Sequence, residues 1–403
     1  MSSRTPDAEP QRTTSVKPWA ASASMALSTA RLVNADRSTR WPSETSARTV
    51  RALVADGQRV LLSAFTNRAV DNAIEALEEQ GFTAVVRWGS ESGVRDDMQA
   101  YRMERAGDPD DRASTLREAS VVAATTAACG SRALKSQSFD VAVVDEAGQL
   151  TEPGTFLATN LADRFVLVGD HRQLPPVVRS AEGVGSDDTA DLQRSLFERL
   201  IEENPEAGVM LDRQYRMNQR VQYFSSREFY DGQLRPASGE VAAQRLGDLP
   251  GVDVETLPPE LRDAVSFIDP GGTDEGNSNP VEADRVAELV AAFREAGVAA
   301  EDIGAIAPFR AQVAEISRRL PDVTVDTVDR FQGSAKEVIV VSFVATGDLD
   351  SPIFEDHRRV NVALTWAKRT VVLVGDAEAL GSVAFYERML EWAGRPSDSE
   401  AAE

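Results

Sequence analysis

Two runs constrain this chain more than any other feature: Phe139–Ala147 (FDVAVVDEA) and Arg164–Asp170 (RFVLVGD). Each is a short block of β-branched and apolar residues without strict alternation, the pattern of a strand buried on both faces. Similar blocks occur at Arg59–Phe65, Thr83–Trp88 and Ser120–Thr126, with a helical pattern over Ala69–Gln80. Strands of this kind separated by helices predict a parallel sheet covered on both sides. A second series follows Leu211, with strands at Ala264–Asp269, Asp302–Pro308, Glu337–Val344 and Thr370–Asp376 and a helix at Val281–Gly297. The expected fold is α/β, with two parallel-sheet domains over residues 48–207 and 208–392 facing each other across a cleft. Residues 1–47, rich in Ser, Thr, Arg, Ala and Pro, read as disordered or degenerate. Residues 181–190 read as an exposed loop, and residues 393–403 as a frayed acidic tail.

Composition narrows the function classes. The net charge of −22 argues against nucleic-acid binding spread over the whole surface, and leaves room for a local basic channel. Only four of the 43 basic residues are lysines, a bias that fits a high-salt cytoplasm or GC-rich coding. The single cysteine, Cys129, excludes an internal disulfide and a cysteine-rich zinc site. No apolar run approaches a membrane span, and no secretory signal pattern opens the chain. The expectation is a cytoplasmic monomer with no membrane partner.

Several motifs carry chemistry. The run VAVVDEAGQ ends in Asp145 and Glu146. In nucleoside triphosphatases such a strand delivers an Asp to Mg²⁺ and a Glu to the attacking water, although a plain strand running into a polar turn reads the same way. The run VLVGDHRQLPP ends a second strand in Asp170, with Gln173 and Pro175 following. Neighbouring parallel strands would bring Asp145, Glu146, Asp170 and Gln173 to one carboxyl edge, where ligands bind. Gln173 is then placed to hydrogen-bond a terminal phosphate. In LDRQYRMNQ, Tyr215 suits base stacking and Arg216 a phosphate held by the opposite domain, unless this is only the start of an amphipathic helix. At the turn SAFTNRAVDNA, Thr66, Asn67 and Asn72 offer short polar groups and backbone N–H groups to a phosphodiester. The stretch RRVNVALTWAKRTVVLVGD predicts a helix with a basic end leading into a strand.

In order and spacing these motifs resemble superfamily 1B helicases, and most of all the helicase half of the DNA replication helicase/nuclease family. The RNA helicase of nonsense-mediated decay is similar at greater distance. The resemblance runs from Arg48 to about Asp376, and includes SSREFYDGQLR (Ser225–Arg235) and PFRAQ (Pro308–Gln312). It implies two RecA-like domains, the first lacking its N-terminal strand and phosphate loop. It implies ATP and Mg²⁺ as cofactors and 5′-to-3′ movement on single-stranded DNA, or RNA. Asp145 and Glu146 take the Mg²⁺ and water roles, Gln173 and Arg216 the γ-phosphate. Tyr215, Asp170 and Gly333 lie near the nucleotide. Thr66, Asn67, Asn72, Thr125, Thr126, Pro175 and Thr327 line the strand path.

Three departures fall on the ATP site. The family carries Gly-Pro-Pro-Gly-Thr-Gly-Lys-Thr just before the equivalent of Arg48, yet no glycine occurs from Met1 to Asp56. The Lys position falls on Ser46 and the Thr position on Ala47. A phosphate loop needs glycines to turn sharply and aim N–H groups at phosphate, and Lys to neutralise it. Trp366 stands where the family has its arginine finger, with Lys368 and Arg369 expected on a helix and pointing elsewhere. Ala335 replaces an acidic nucleotide contact, and Glu337 is left a structural role. These losses predict a helicase by descent with impaired hydrolysis. The alternatives are a non-catalytic single-strand-binding module and a piece of a split or frameshifted helicase.

Overall fold

The computed structural model describes residues 42–103, 108–178, 193–331, 335–347, 349 and 351–394. Two five-stranded sheets organise them. The first has the order β2-β3-β1-β4-β5, from β1 (Val60–Ala64), β2 (Val85–Trp88), β3 (Val121–Thr125), β4 (Phe139–Asp145) and β5 (Ala162–Leu167). All its pairings are parallel. The unbroken apolar character of the strands follows from cover on both faces. Val60, Leu62, Val121, Val141 and Val143 pack on one side with Val50 and Leu53 of the helix Pro42–Ala55 and Val70 and Ile74 of the helix Asn67–Glu79. Leu61, Val122, Ala142 and Val144 pack on the other. β5 is an edge strand among the described residues, and most of its side chains are only half-buried.

The helix Pro42–Ala55 corrects one expectation. It begins ahead of the expected boundary at Arg48, and Thr45, Ser46 and Ala47 are buried in it. The Ser/Thr-rich composition concealed this, because Ala47, Val50, Leu53 and Val54 supply the apolar stripe only from Ala47 onward. The loop expected at 181–190 and the tail from residue 395 lie outside the described residues, as does the rest of the N-terminal segment.

The second sheet has the order β10-β9-β11-β12-β8, from β8 (Val265–Ile268), β9 (Ile303–Ala307), β10 (Thr324–Thr327), β11 (Lys336–Ser342) and β12 (Ala367–Val374). It too is parallel. The helix Pro280–Glu295 covers one face through Val286, Leu289, Val290 and Phe293. The helices Gln219–Phe229, Arg358–Thr365 and Ala384–Ala393 cover the other, with Phe224 stacked on Trp392. A small parallel ribbon, β6 (Arg213–Gln214) with β7 (Arg235–Pro236), lies beside them.

Lys368 and Arg369 were expected on a helix but lie in β12, because the helix stops at Thr365. There both donate to the Glu337 carboxylate, Lys368 Nζ at 2.6 Å and Arg369 Nε at 2.8 Å. This fork uses both cations next to Trp366 and gives Glu337 its structural role.

Candidate functional site

The carboxyl ends of β4 and β5 are neighbours, with Val144 opposite Leu167. Past them the two turns touch backbone to backbone. A Cβ on Gly148 would lie 2.7 Å from Asp170 O, and one on Gly169 would lie 2.7 Å from Gly148 N. Both glycines are therefore required by close approach. Ala147 N donates to Val168 O at 2.8 Å, which fixes the pair of turns. Asp145 is 1% exposed, and Glu146 adopts the left-handed conformation at φ 53°. A non-glycine residue in that region is uncommon, and the buried turn imposes it here.

The expected edge constellation thus forms, but Gln173 is not free. Its Nε2 donates to Asp170 Oδ2 at 3.0 Å. Tyr230, from the helix-and-turn segment after Gln219–Phe229, donates to the same carboxylate oxygen at 2.6 Å. Asn361 Nδ2 donates to Tyr230 Oη at 3.0 Å and to Arg172 O at 2.9 Å. Asp170, Tyr230, Asn361 and Arg172 make a clasp between the two sheet units. Sequence reading gave no role to Tyr230, which follows the helix Gln219–Phe229 in the run SSREFYDGQLR, or to Asn361, a polar position in the helix Arg358–Thr365.

Arg216 reaches the same place from the second unit. Its guanidinium donates to Thr365 O and sits over the Trp366 ring, 5.3 Å from the centroid. Trp366 meets Phe331 edge-on at 5.9 Å. The residue that lacks the family's charge therefore holds the neighbouring arginine by a cation–π contact. Tyr215 is half-buried beside it.

Burial dominates the electrostatics. It pushes Asp145 up to about 6. Burial, reinforced by Asp145 and Asp170, pushes Glu146 up to about 8 against the pull of Arg216. Burial also lowers Arg216 to about 10, opposed by Glu146. Because the folded-state value of Glu146 exceeds its ordinary 4.5, its contribution to stability is complete below about pH 4.5 and is lost as pH rises through about 8. Glu146→Gln, melted in chelator without nucleotide, is expected to raise the melting temperature at pH 8 and leave it unchanged at pH 4. Equal effects at both pH values would contradict this.

The donor set fits one half of a nucleotide–metal complex. Ser46 Oγ lies beside Asp145 and favours its charged form, without the geometry of a full hydrogen bond. Thr45 Oγ1, Ser46 Oγ, Asn361 Oδ1 and Trp366 Nε1 are buried without partners. Two carboxylates and a hydroxyl suit a hydrated divalent ion. The phosphates find no such match: the helix Pro42–Ala55 contains no glycine and no lysine.

Of the residues expected on the strand path, Thr66, Asn67, Thr125, Thr126 and Thr327 lie at the carboxyl ends of strands, while Asn72 lies within the helix Asn67–Glu79 and Pro175 in the turn after β5. Ala64 pairs with Thr125, so the Thr66 and Thr125 turns are adjacent. Thr66 Oγ1 caps its helix by accepting from Ala69 N, and Thr125 Oγ1 accepts from Ala128 N. Asn67 is exposed, with Oδ1 accepting from Arg87 Nη2 at 2.9 Å, and Asn72 Oδ1 accepts from Arg95 Nη1. Thr126 and Thr327 are buried, at 3% and 7% exposure, and offer little surface to a ligand. Pro175 is half-buried and lines a groove with Asp329 and Arg359. Ala335 is buried, and Gly333 lies outside the described residues.

Two AAA domain family models match the chain, over residues 94–181 and 192–378. The DNA replication ATP-dependent helicase/nuclease JHS1 of Arabidopsis thaliana is 34% identical over 363 residues, 84% of this chain and 26% of that protein. The uncharacterized ATP-dependent helicase MJ0104 of Methanocaldococcus jannaschii is 35% identical over 69% of this chain and 42% of its own length. The DNA-binding protein SMUBP-2 of Mesocricetus auratus is 36% identical over 69% of this chain and 29% of its own length. The chain thus spans well under half of these relatives. Among solved structures, the arterivirus nonstructural protein 10 (helicase) matches at TM-score 0.46 and 14% identity, over 89% of this chain and 63% of that one.

Proposed function

Because the chain belongs to the superfamily 1B-like helicases, we propose that it binds single-stranded DNA along the carboxyl edges of its two sheets, with ATP hydrolysis severely impaired. In this reading residues 48–207 and 208–392 are the two motor units of a 5′-to-3′ translocase by descent. Asp145 would hold Mg²⁺ and Glu146 orient water. Gln173 and Arg216 would face a terminal phosphate, with Tyr215, Asp170 and Gly333 near the nucleotide. Thr66, Asn67, Asn72, Thr125, Thr126, Pro175 and Thr327 would line the strand. The names of the relatives favour DNA over RNA. The acidic, lysine-poor composition suits a salty cytoplasm.

One observation carries the reading: Arg216 is stacked on Trp366 in a site whose leading helix has neither glycine nor lysine. Catalysis of phosphoryl transfer is almost wholly positioning and charge stabilisation, so a site without cradle or finger retains little of it. A second reading, a clamp that closes on a strand without turnover, is favoured by the Asp170–Tyr230–Asn361 clasp. That clasp ties the two units together through side chains of the chain itself.

The test is binding of a labelled single strand over a salt series, with and without Mg-ATP. Binding at low salt that ATP leaves unchanged is expected. Failure to bind at low salt, or a large ATP-dependent change in affinity, would overturn the reading.

A further inference from the structure

A groove of about 580 Å³ opens beside the β6–β7 ribbon, on the outer side of the helix Gln219–Phe229. Arg213, Arg227 and Arg235 line it, and no carboxylate does. In a chain of net charge −22 that is a local reversal of sign. All three arginines are exposed. Their carboxylate neighbours neutralise them weakly. Asp212 lies 3.8 Å from Arg213, with both side chains half-exposed. Glu228 is 3.9 Å from Arg227 but already engages Arg388 at 2.6 Å. The groove also presents Tyr223, an exposed aromatic at 51%.

Spacing along the helix explains the arrangement. Gln219, Tyr223 and Arg227 follow each other at four-residue intervals and so share one face. Val221 and Phe224 turn the opposite face into the core. Neither the fold nor the cleft uses the outward face. Guanidinium groups that can each take a phosphate, set around an aromatic ring, are the components of a single-strand platform: charge tracks the backbone while a base stacks. An acidic peptide would use the arginines but have no need of the ring.

We infer that this groove is a second contact for the single strand, with phosphates on Arg213, Arg227 and Arg235 and a base against Tyr223. The inference rests on the reading of the chain as a single-strand binder. Each ion pair to phosphate releases counterions, so the arginines set the salt dependence, while stacking on Tyr223 contributes a salt-independent part.

The experiment is fluorescence anisotropy of labelled oligothymidylate on the full chain over a salt series. Unmodified protein is compared with R213A/R227A/R235A, Y223A and, on the sheet-edge path, N67A. Thermal melts confirm folding, which the exposed groove substitutions should leave intact; N67A also removes an acceptor of the buried Arg87, so its binding is read well below its own melting temperature. The triple variant is expected to reduce the slope of log affinity against log salt by about 2. Tyr223→Ala should weaken binding about 5- to 150-fold with the slope unchanged. If N67A weakens binding while the triple variant and Y223A leave it unaltered, the groove inference falls and the sheet-edge reading stands. The reverse pattern keeps the groove and removes the sheet-edge path. Polyglutamate or free ATP displacing the strand from the groove as effectively as unlabelled oligothymidylate would assign it to anions in general and overturn the inference.

Discussion

Replacing residues 40–47 by Gly-Pro-Pro-Gly-Thr-Gly-Lys-Thr together with Trp366→Arg is expected to raise strand-stimulated ATP hydrolysis at least about a thousandfold. Neither change alone should lift it above background. The reason lies in what each restores. The loop supplies N–H groups and an ammonium for the phosphates, set at the start of the helix Pro42–Ala55 beside Asp145. The arginine supplies the finger, a contribution of ~10³–10⁵ in rate in this class of reaction. Removing the indole also ends its cation–π contact with the Arg216 guanidinium, which lies 5.3 Å from the ring centroid, and leaves the bond to Thr365 O. Residues that act as one unit are strongly non-additive, so half a site gives far less than half the effect. Full recovery with Trp366→Arg alone would show that the phosphates are already gripped without a glycine loop.

The largest effect on stability is expected at Asp71. Arg87 is a fully buried arginine in β2, and its Nε donates to Asp71 Oδ1 at 2.9 Å. Its remaining groups are satisfied by Trp88 O at 2.8 Å and Asn67 Oδ1 at 2.9 Å. Asp71 Oδ2 accepts from Arg95 N at 3.0 Å. Asp71→Ala would leave a guanidinium without its counter-ion in the interior, at a cost of about 3–5 kcal/mol. That is a large share of the ~5–15 kcal/mol that holds a domain folded. Because Arg87 also anchors Asn67, strand binding should weaken with it. The double variant D71A/R87M replaces the pair by an apolar side chain and should recover much of the loss. Urea denaturation reads both. A single variant within about 1 kcal/mol of the unmodified chain would refute the argument.

The sequence made the sheets legible because burial on both faces leaves an unmistakable mark. Val141 and Val143 face one helix layer while Ala142 and Val144 face the other, so FDVAVVD could hardly be anything else. The paired polar strand ends were legible for the same reason: Asp145 and Asp170 follow apolar runs with no other use for charge. What was hidden depends on partners distant in the chain. Arg87 stood as one cation in a β-branched run, and its partners Asp71 and Asn67 lie on the preceding helix. Tyr230 and Asn361 read as ordinary polar positions, yet both reach from the second unit to the first, Tyr230 to Asp170 and Asn361 to Arg172 O. Trp366 read as a loss of charge, and only the folded chain shows the ring occupied by Arg216. Lys368 and Arg369 were assigned to the wrong element because the helix gives way to β12 at Ala367 without a glycine or proline to mark the change. The helix start at Pro42 was obscured by Ser and Thr residues that favour caps and turns when exposed.

On the reading proposed above, no described residue holds the ATP phosphates well enough for turnover. Steady-state hydrolysis by the unmodified protein, with saturating Mg-ATP and with or without a single strand, tests it most directly. A rate indistinguishable from buffer is expected under both conditions, against a clear strand-dependent rate for the doubly restored variant. Strand-stimulated turnover by the unmodified chain at the rate of that restored variant would contradict it.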